Sequence, residues 1–129
     1  MQTPPNGIIT KPSNVSVAAT MDKLENALKS KGVTIYARID QQKEASKSGL
    51  ELPPTELLIF GNPKAGVPIM KSHPLAGLDL PLKALVWQDE QQKVWLSYNS
   101  LDYLKKRHDL PDEIVKNINV GPLLEQAIQ

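Results

Sequence analysis

The feature that most constrains this chain is a change of hydrophobic period. Val17, Met21, Leu24 and Leu28 recur at i, i+4, i+7 and i+11, which is one face of a helix. Ser16 stands where a cap belongs and Gly32 where a helix stops, with Lys29 and Lys31 in the last turn, where the helix dipole favours cations. From Val33 the period falls to two. Val33, Ile35, Ala37 and Ile39 point one way; Thr34, Tyr36, Arg38 and Asp40 point the other. A one-faced helix followed at once by a one-faced strand calls for a helix packed on a sheet.

The remaining punctuation extends this pattern. Residues 1–6 read as a flexible lead, and residues 7–129 as a single domain opened by a short strand around Ile8-Ile9. A polar stretch at 41–48 ends at Gly49, and residues 55–60 form an apolar strand. Residues 61–81 carry Gly61, Gly66 and Gly77 among four prolines; a short helix near 67–72 turns Ile69 and Met70 inward. Strands at 82–88 and 93–98 join through Asp89-Glu90-Gln91-Gln92 as an antiparallel hairpin. Helices follow at 100–107 and from Pro111, and Gly121-Pro122 breaks the second before 123–128. Helices and strands do not alternate strictly, so the expected class is α+β: a single, mainly antiparallel sheet with helices on one face. The other face, carrying Tyr36 and Arg38, is expected to be polar.

Composition excludes several functions. Fifteen Lys and Arg face fourteen Asp and Glu, too even a balance to draw nucleic acid or an acidic membrane. There is no cysteine, hence no disulfide, thiolate nucleophile or cysteine zinc site. No apolar run reaches the ~20 residues of a membrane span. The chain start lacks signal-peptide features, which fits a cytoplasmic protein, or an exported one whose leader has been removed.

Gly61-Asn62-Pro63-Lys64-Ala65-Gly66 places two glycines as a phosphate loop does, but Val67-Pro68 stand where that loop needs Lys and Ser or Thr. Nucleotide hydrolysis is therefore excluded. The loop either holds a small anion beside Lys64 or is a turn in which Asn62 bonds its own backbone. Arg38 and Asp40 share a strand face and either line a pocket or form an ion pair. Asp79, among leucines, needs a partner or a cap. His73 and His108 have no ligand at metal spacing, so neither a metal nor a cofactor is expected. Trp87 and Trp95 are read as core or interface anchors. Ser97 lacks a nucleophile context.

Ala37-Arg38-Ile39-Asp40, the block from Pro54 to Gly66 containing Phe60-Gly61-Asn62-Pro63-Lys64, the block from Ala76 to Trp87, and Val94-Trp95-Leu96-Ser97-Tyr98-Asn99 together resemble the DUF302 family, a bacterial and archaeal family of unknown function. Tyr103-Leu104 and Arg107-His108 extend the likeness. The resemblance implies a β-α-β4-α outline, similar to TATA-binding-protein-like sheets, and a homodimer; it implies no reaction. The family's usual histidine after the aspartate is here Gln41, its threonine is Val67, and its glutamate is Gln88.

The resulting expectation is a homodimeric domain that binds a small, anionic ligand or a protein partner through Arg38, Asp40, Asn62, Lys64 and Asp79. The alternatives are an enzyme built on Arg38, Asp40, Lys64 and Asp79, or a structural dimerisation module.

Overall fold

A computed structural model describes residues 6–129; the expected lead, apart from Asn6, lies outside them. The strands are β1 (Ile8–Ser13), β2 (Thr34–Asp40), β3 (Thr55–Gly61), β4 (Leu82–Gln88) and β5 (Val94–Asn99). They form one sheet in the order β1-β5-β4-β3-β2, and every pairing is antiparallel. The helices are α1 (Val17–Ser30), α2 (Gln41–Lys47), α3 (Pro63–Ser72), α4 (Leu101–His108), α5 (Asp112–Val115) and α6 (Gly121–Ala127), with 3₁₀ turns at Pro74–Leu78 and Lys116–Ile118. This is the expected α+β class. Because β1 and β2 lie at opposite edges, α1 must cross the whole sheet between them. Pro12, with no N–H to give, is accommodated in the edge strand β1.

The helical stripe does what its period requires. Val17, Met21, Leu24 and Leu28 are buried against Leu58, Phe60, Ala84, Val86 and Leu96, with Leu124 and Ile128 closing the layer at the C-terminus. Ser16 caps α1 by accepting from the Ala19 N–H, and Gly32 follows it with φ +74°. A second cluster forms at one end of the sheet, where Ala65 and Ile69 of α3 meet Ala76, Leu110, Val115 and Ile118.

Three local boundaries differ from the sequence expectation. The helix expected near 67–72 starts at Pro63, because Asn62 caps it and proline suits a first turn. Pro111 is the cap residue of α5 rather than its first helical residue. Gly121-Pro122 begins α6 instead of breaking an earlier helix.

The decisive departure is in β2. Ile35 pairs with Phe60 but Ala37 pairs with Ile59, so Tyr36 is an extra residue in the ladder. A bulge of this kind reverses the facing of every later side chain. Arg38 therefore pairs with buried Leu58 and faces α1, whereas Ala37 and Ile39 turn to the other side with Ile59 and Leu57. The expected polar sheet face is thus corrected. The uncovered face carries Ala37, Ile39, Leu57, Ile59, Leu85, Trp87 and Trp95, all partly exposed.

Candidate functional site

Arg38 is the most heavily engaged side chain among the described residues. Its Nε donates to Glu56 at 2.6 Å, and its Nη1 donates to Asp22 at 2.7 Å and Glu25 at 3.1 Å. Nη2 donates to the Ala18 carbonyl at 3.1 Å. Ala18, Asp22 and Glu25 lie at i, i+4 and i+7, one face of α1. Burial works against the guanidinium's charge, but the hydrogen bonds to Glu56 and Asp22, reinforced by Glu25, more than offset it and raise its pKa. Arg38 is thus a clasp between α1 and the sheet.

The other expected residues are spread along the fold. Asp40 caps α2, accepting from the Lys43 N–H at 2.9 Å. Asn62 caps α3, accepting from the Lys64 N–H at 3.0 Å, while its carbonyl accepts from Ala65 and Gly66. These loop N–H groups are satisfied within the turn. Lys64 is exposed. Arg38 stands opposite Leu58, four residues before Asn62 along β3, about 13 Å at ~3.3 Å per residue. No hydrogen bond or ion pair joins any two of Arg38, Asp40, Asn62, Lys64 and Asp79 among the described residues.

Asp79 takes its bonds from α4. His108 Nε2 lies 2.6 Å from its Oδ2, and Arg107 Nη1 donates to the same oxygen at 3.1 Å. Both His108 and Asp79 are largely buried. The aspartate among leucines did need partners, and they lie 29 and 28 residues away. The sequence signal was available in two halves, an acid in an apolar run and a histidine at a helix end, with nothing local to join them.

Asp79 also borders a cleft of about 630 Å³ between the inner face of β4–β5 and the helices α4 to α6. Tyr98 and Glu125 line it as well; the Tyr98 hydroxyl donates to Glu125 Oε2, and Lys11 Nζ lies 3.9 Å from Glu125 Oε1. Burial first, and then Glu125, raise the Tyr98 pKa and keep the phenol neutral. Gly121 brings α6 against this hydroxyl, where a β-carbon would sit 3.0 Å away. The Tyr98–Glu125 pair carried no motif and was not foreseen. A smaller apolar pocket, about 110 Å³, lies beside Tyr36, Asn62, Val67 and Met70. Arg38, Asp40 and Lys64 line neither of these two.

On the uncovered face, Trp87 and Trp95 pair directly across the hairpin and stack with ring centroids 6.4 Å apart. Trp87 Nε1 donates to Ser97 Oγ at 3.0 Å, and Ser97 Oγ lies 2.9 Å from Thr10 Oγ1. Ser97 is therefore held in a hydrogen-bond chain. Among the described residues no group of His, Asp and Glu is arranged to hold a metal.

The sequence profile of the domain of unknown function DUF302 matches residues 9–129. A crystal structure of an uncharacterized conserved DUF302 protein from Bacillus stearothermophilus has the same fold, with a TM-score of 0.79, 21% identity and 95% of each chain covered. Among curated proteins, the fluoride-specific ion channel FluC 1 of Brucella suis biovar 1 (strain 1330) is 44% identical over 105 residues, 81% of this chain and 41% of that protein. FluC 1 of Brucella abortus biovar 1 (strain 9-941) is likewise 44% identical, with 39% of its length covered. This chain thus spans about two fifths of the curated relatives it matches. No helix among its described residues is long and apolar enough to cross a membrane.

Proposed function

The chain belongs to the DUF302 family, and from that premise we propose that it is a binding domain rather than an enzyme. It pairs with a second copy through the uncovered sheet face and serves a membrane channel as an accessory.

The reading rests on that face. Leu57, Ile59, Leu85 and the stacked Trp87–Trp95 pair form an apolar surface opposite the helices that build the core. Contiguous apolar surface rimmed by polar groups is characteristic of protein contacts, and a two-fold pairing applies one such patch to its own copy. Light scattering should give about twice the 14.3 kDa chain mass. Leu85→Glu should return the monomer mass with an unchanged circular dichroism spectrum. A wild-type mass of 14.3 kDa at micromolar concentration would overturn the pairing.

The channel partner is supported by the relatives. An ion pathway through a bilayer needs spanning helices or a closed barrel, because backbone groups there must be satisfied internally. Among the described residues, an open five-stranded sheet with helices no longer than the 14 residues of α1 supplies neither. Conduction in the Brucella proteins is then the work of the part this chain does not cover, and the DUF302 portion is an appendage. The tagged domain should co-purify with a fluoride channel from its own cell in mild detergent, and cells lacking it should stop growing at a lower fluoride concentration. If neither occurs, the accessory role is wrong.

A further inference from the structure

We propose that the cleft between β4–β5 and α4–α6 binds a small uncharged molecule made of an apolar body and an amide group. The cleft lies on the helix side of the sheet, so the proposal stands apart from any pairing through the uncovered face.

The amide follows from the sheet. The Asp89 N–H donates to the Lys93 carbonyl at 2.9 Å, and hydrogen-bonded pairs recur at every second residue of an antiparallel ladder. Trp87 with Trp95 and Leu85 with Ser97 continue that series, and Lys83 with Asn99 would come next. Pairing nevertheless stops at Leu85 and Ser97, although β4 begins at Leu82 and β5 runs on to Asn99. Lys83 and Asn99 both line the cleft. Their side chains do not bring them there. Their neighbours Ala84 and Tyr98 point into the core, so alternation sends Lys83 and Asn99 to the opposite face. What they turn to the cleft is backbone. A ladder position left open offers N–H donors and C=O acceptors that call for partners. An amide carries the matching acceptor and donor in one group.

The absence of charge follows from the lining. Every carboxylate there has a basic partner: Asp79 has Arg107 and His108, Asp102 has Lys106, Asp112 has Lys105, and Glu125 has Lys11. Lys83 leaves on the other face and turns its ammonium back to the Pro81 carbonyl at 3.1 Å. A ligand ion of either sign would give up water without meeting an uncompensated opposite charge. The body of the ligand is set by the remaining wall. Ile9, Leu82, Leu104, Val115 and Ile118 supply an apolar side suited to a ring or short alkyl chain. The volume of about 630 Å³ lies within the ~300–1,000 Å³ range of small-molecule sites.

The probe is 3-phenylpropionamide, titrated into ¹⁵N-labelled full-length protein beside methyl 3-phenylpropionate, anionic 3-phenylpropionate and cationic 2-phenylethylamine. In the free protein the Asn99 amide should exchange with deuterium faster than the amides of Trp95 and Ser97, which lie in the closed part of the ladder. The primary amide should give saturable shifts that are largest at Lys83 and Asn99, and should slow exchange at Asn99. The ester has no N–H to give and should bind about fivefold more weakly, as expected for loss of one neutral hydrogen bond; the two ions should bind more weakly still. Val115→Phe fills part of the apolar wall and should weaken the amide while the circular dichroism spectrum holds. Should that variant fail to fold, the four probes on the wild-type protein still decide. An Asn99 amide as protected as that of Ser97, an ester or ion that binds as tightly as the amide, no saturable shift with the amide, or shifts confined to residues outside the cleft would each overturn the proposal.

Discussion

Arg38 and Glu56 meet across β2 and β3 with Nε 2.6 Å from Oε1, on the sheet face covered by α1. Only 11% of the Glu56 side chain is exposed, and Arg38 is the basic group bonded to it. Removing one member of a largely buried pair leaves the other uncompensated. Arg38→Met should lower stability by about 2–4 kcal/mol, discounted from the fully buried case because Arg38 is itself partly exposed. Urea denaturation would measure it. Adding Glu56→Gln to Arg38→Met should recover part of the loss, and an additive double mutant would refute the clasp.

Gly7 sits with φ +77°, and a β-carbon there would lie 2.5 Å from Cγ and Cδ1 of Tyr103. Its carbonyl also accepts from the Ser100 N–H, tying the start of β1 to the cap of α4. Gly7→Ala meets both the backbone penalty and the clash. It should cost more than about 1 kcal/mol, read as a lowered Tm, and Tyr103→Ala in the same chain should relieve part of it.

Asp89 accepts from the Trp95 indole at 2.9 Å, the Lys93 N–H at 2.8 Å and the Gln91 N–H at 2.9 Å. The indole foremost, and then the Lys93 N–H, hold its carboxyl below the usual range. A depressed carboxyl stabilises the fold above its unfolded value of about 3.9, and that contribution fades as the pH falls through the folded value. The Trp95 indole resonance should therefore move in acid. The Trp87 indole, bonded to the non-titrating Ser97, should hold still over the same range. Parallel movement of both would contradict the assignment.

Tyr98 is held neutral by burial and by Glu125. A raised phenol pKa leaves its stabilisation complete below the unfolded value of about 10 and removes it as the pH climbs through the folded one. In an ultraviolet titration one of the three tyrosines should ionise after the others, and alkaline unfolding should accompany it. Tyr98→Phe should abolish the late step.

Sequence alone determined what depends on neighbours a few residues apart. The stripe Val17, Met21, Leu24 and Leu28, the apolar β3 and the β4–β5 hairpin are all local patterns, and the structure keeps them. The family resemblance was also legible, carried by contiguous motifs. Tertiary structure decided the facing of β2 after Tyr36. No propensity marks that bulge, because register is settled by the partner strand, and one extra residue reverses every side chain beyond it. Arg38 thereby left the open face and found Glu56, Asp22 and Glu25, which lie 18, 16 and 13 residues away. Asp79 likewise found His108 and Arg107, and Tyr98 found Glu125, only once α4 and α6 had packed against the sheet. Short-range periodicity fixes which residues of an unbroken helix or strand share a face; which way a strand faces beyond a bulge, and which charges meet, are fixed by the chain closing on itself.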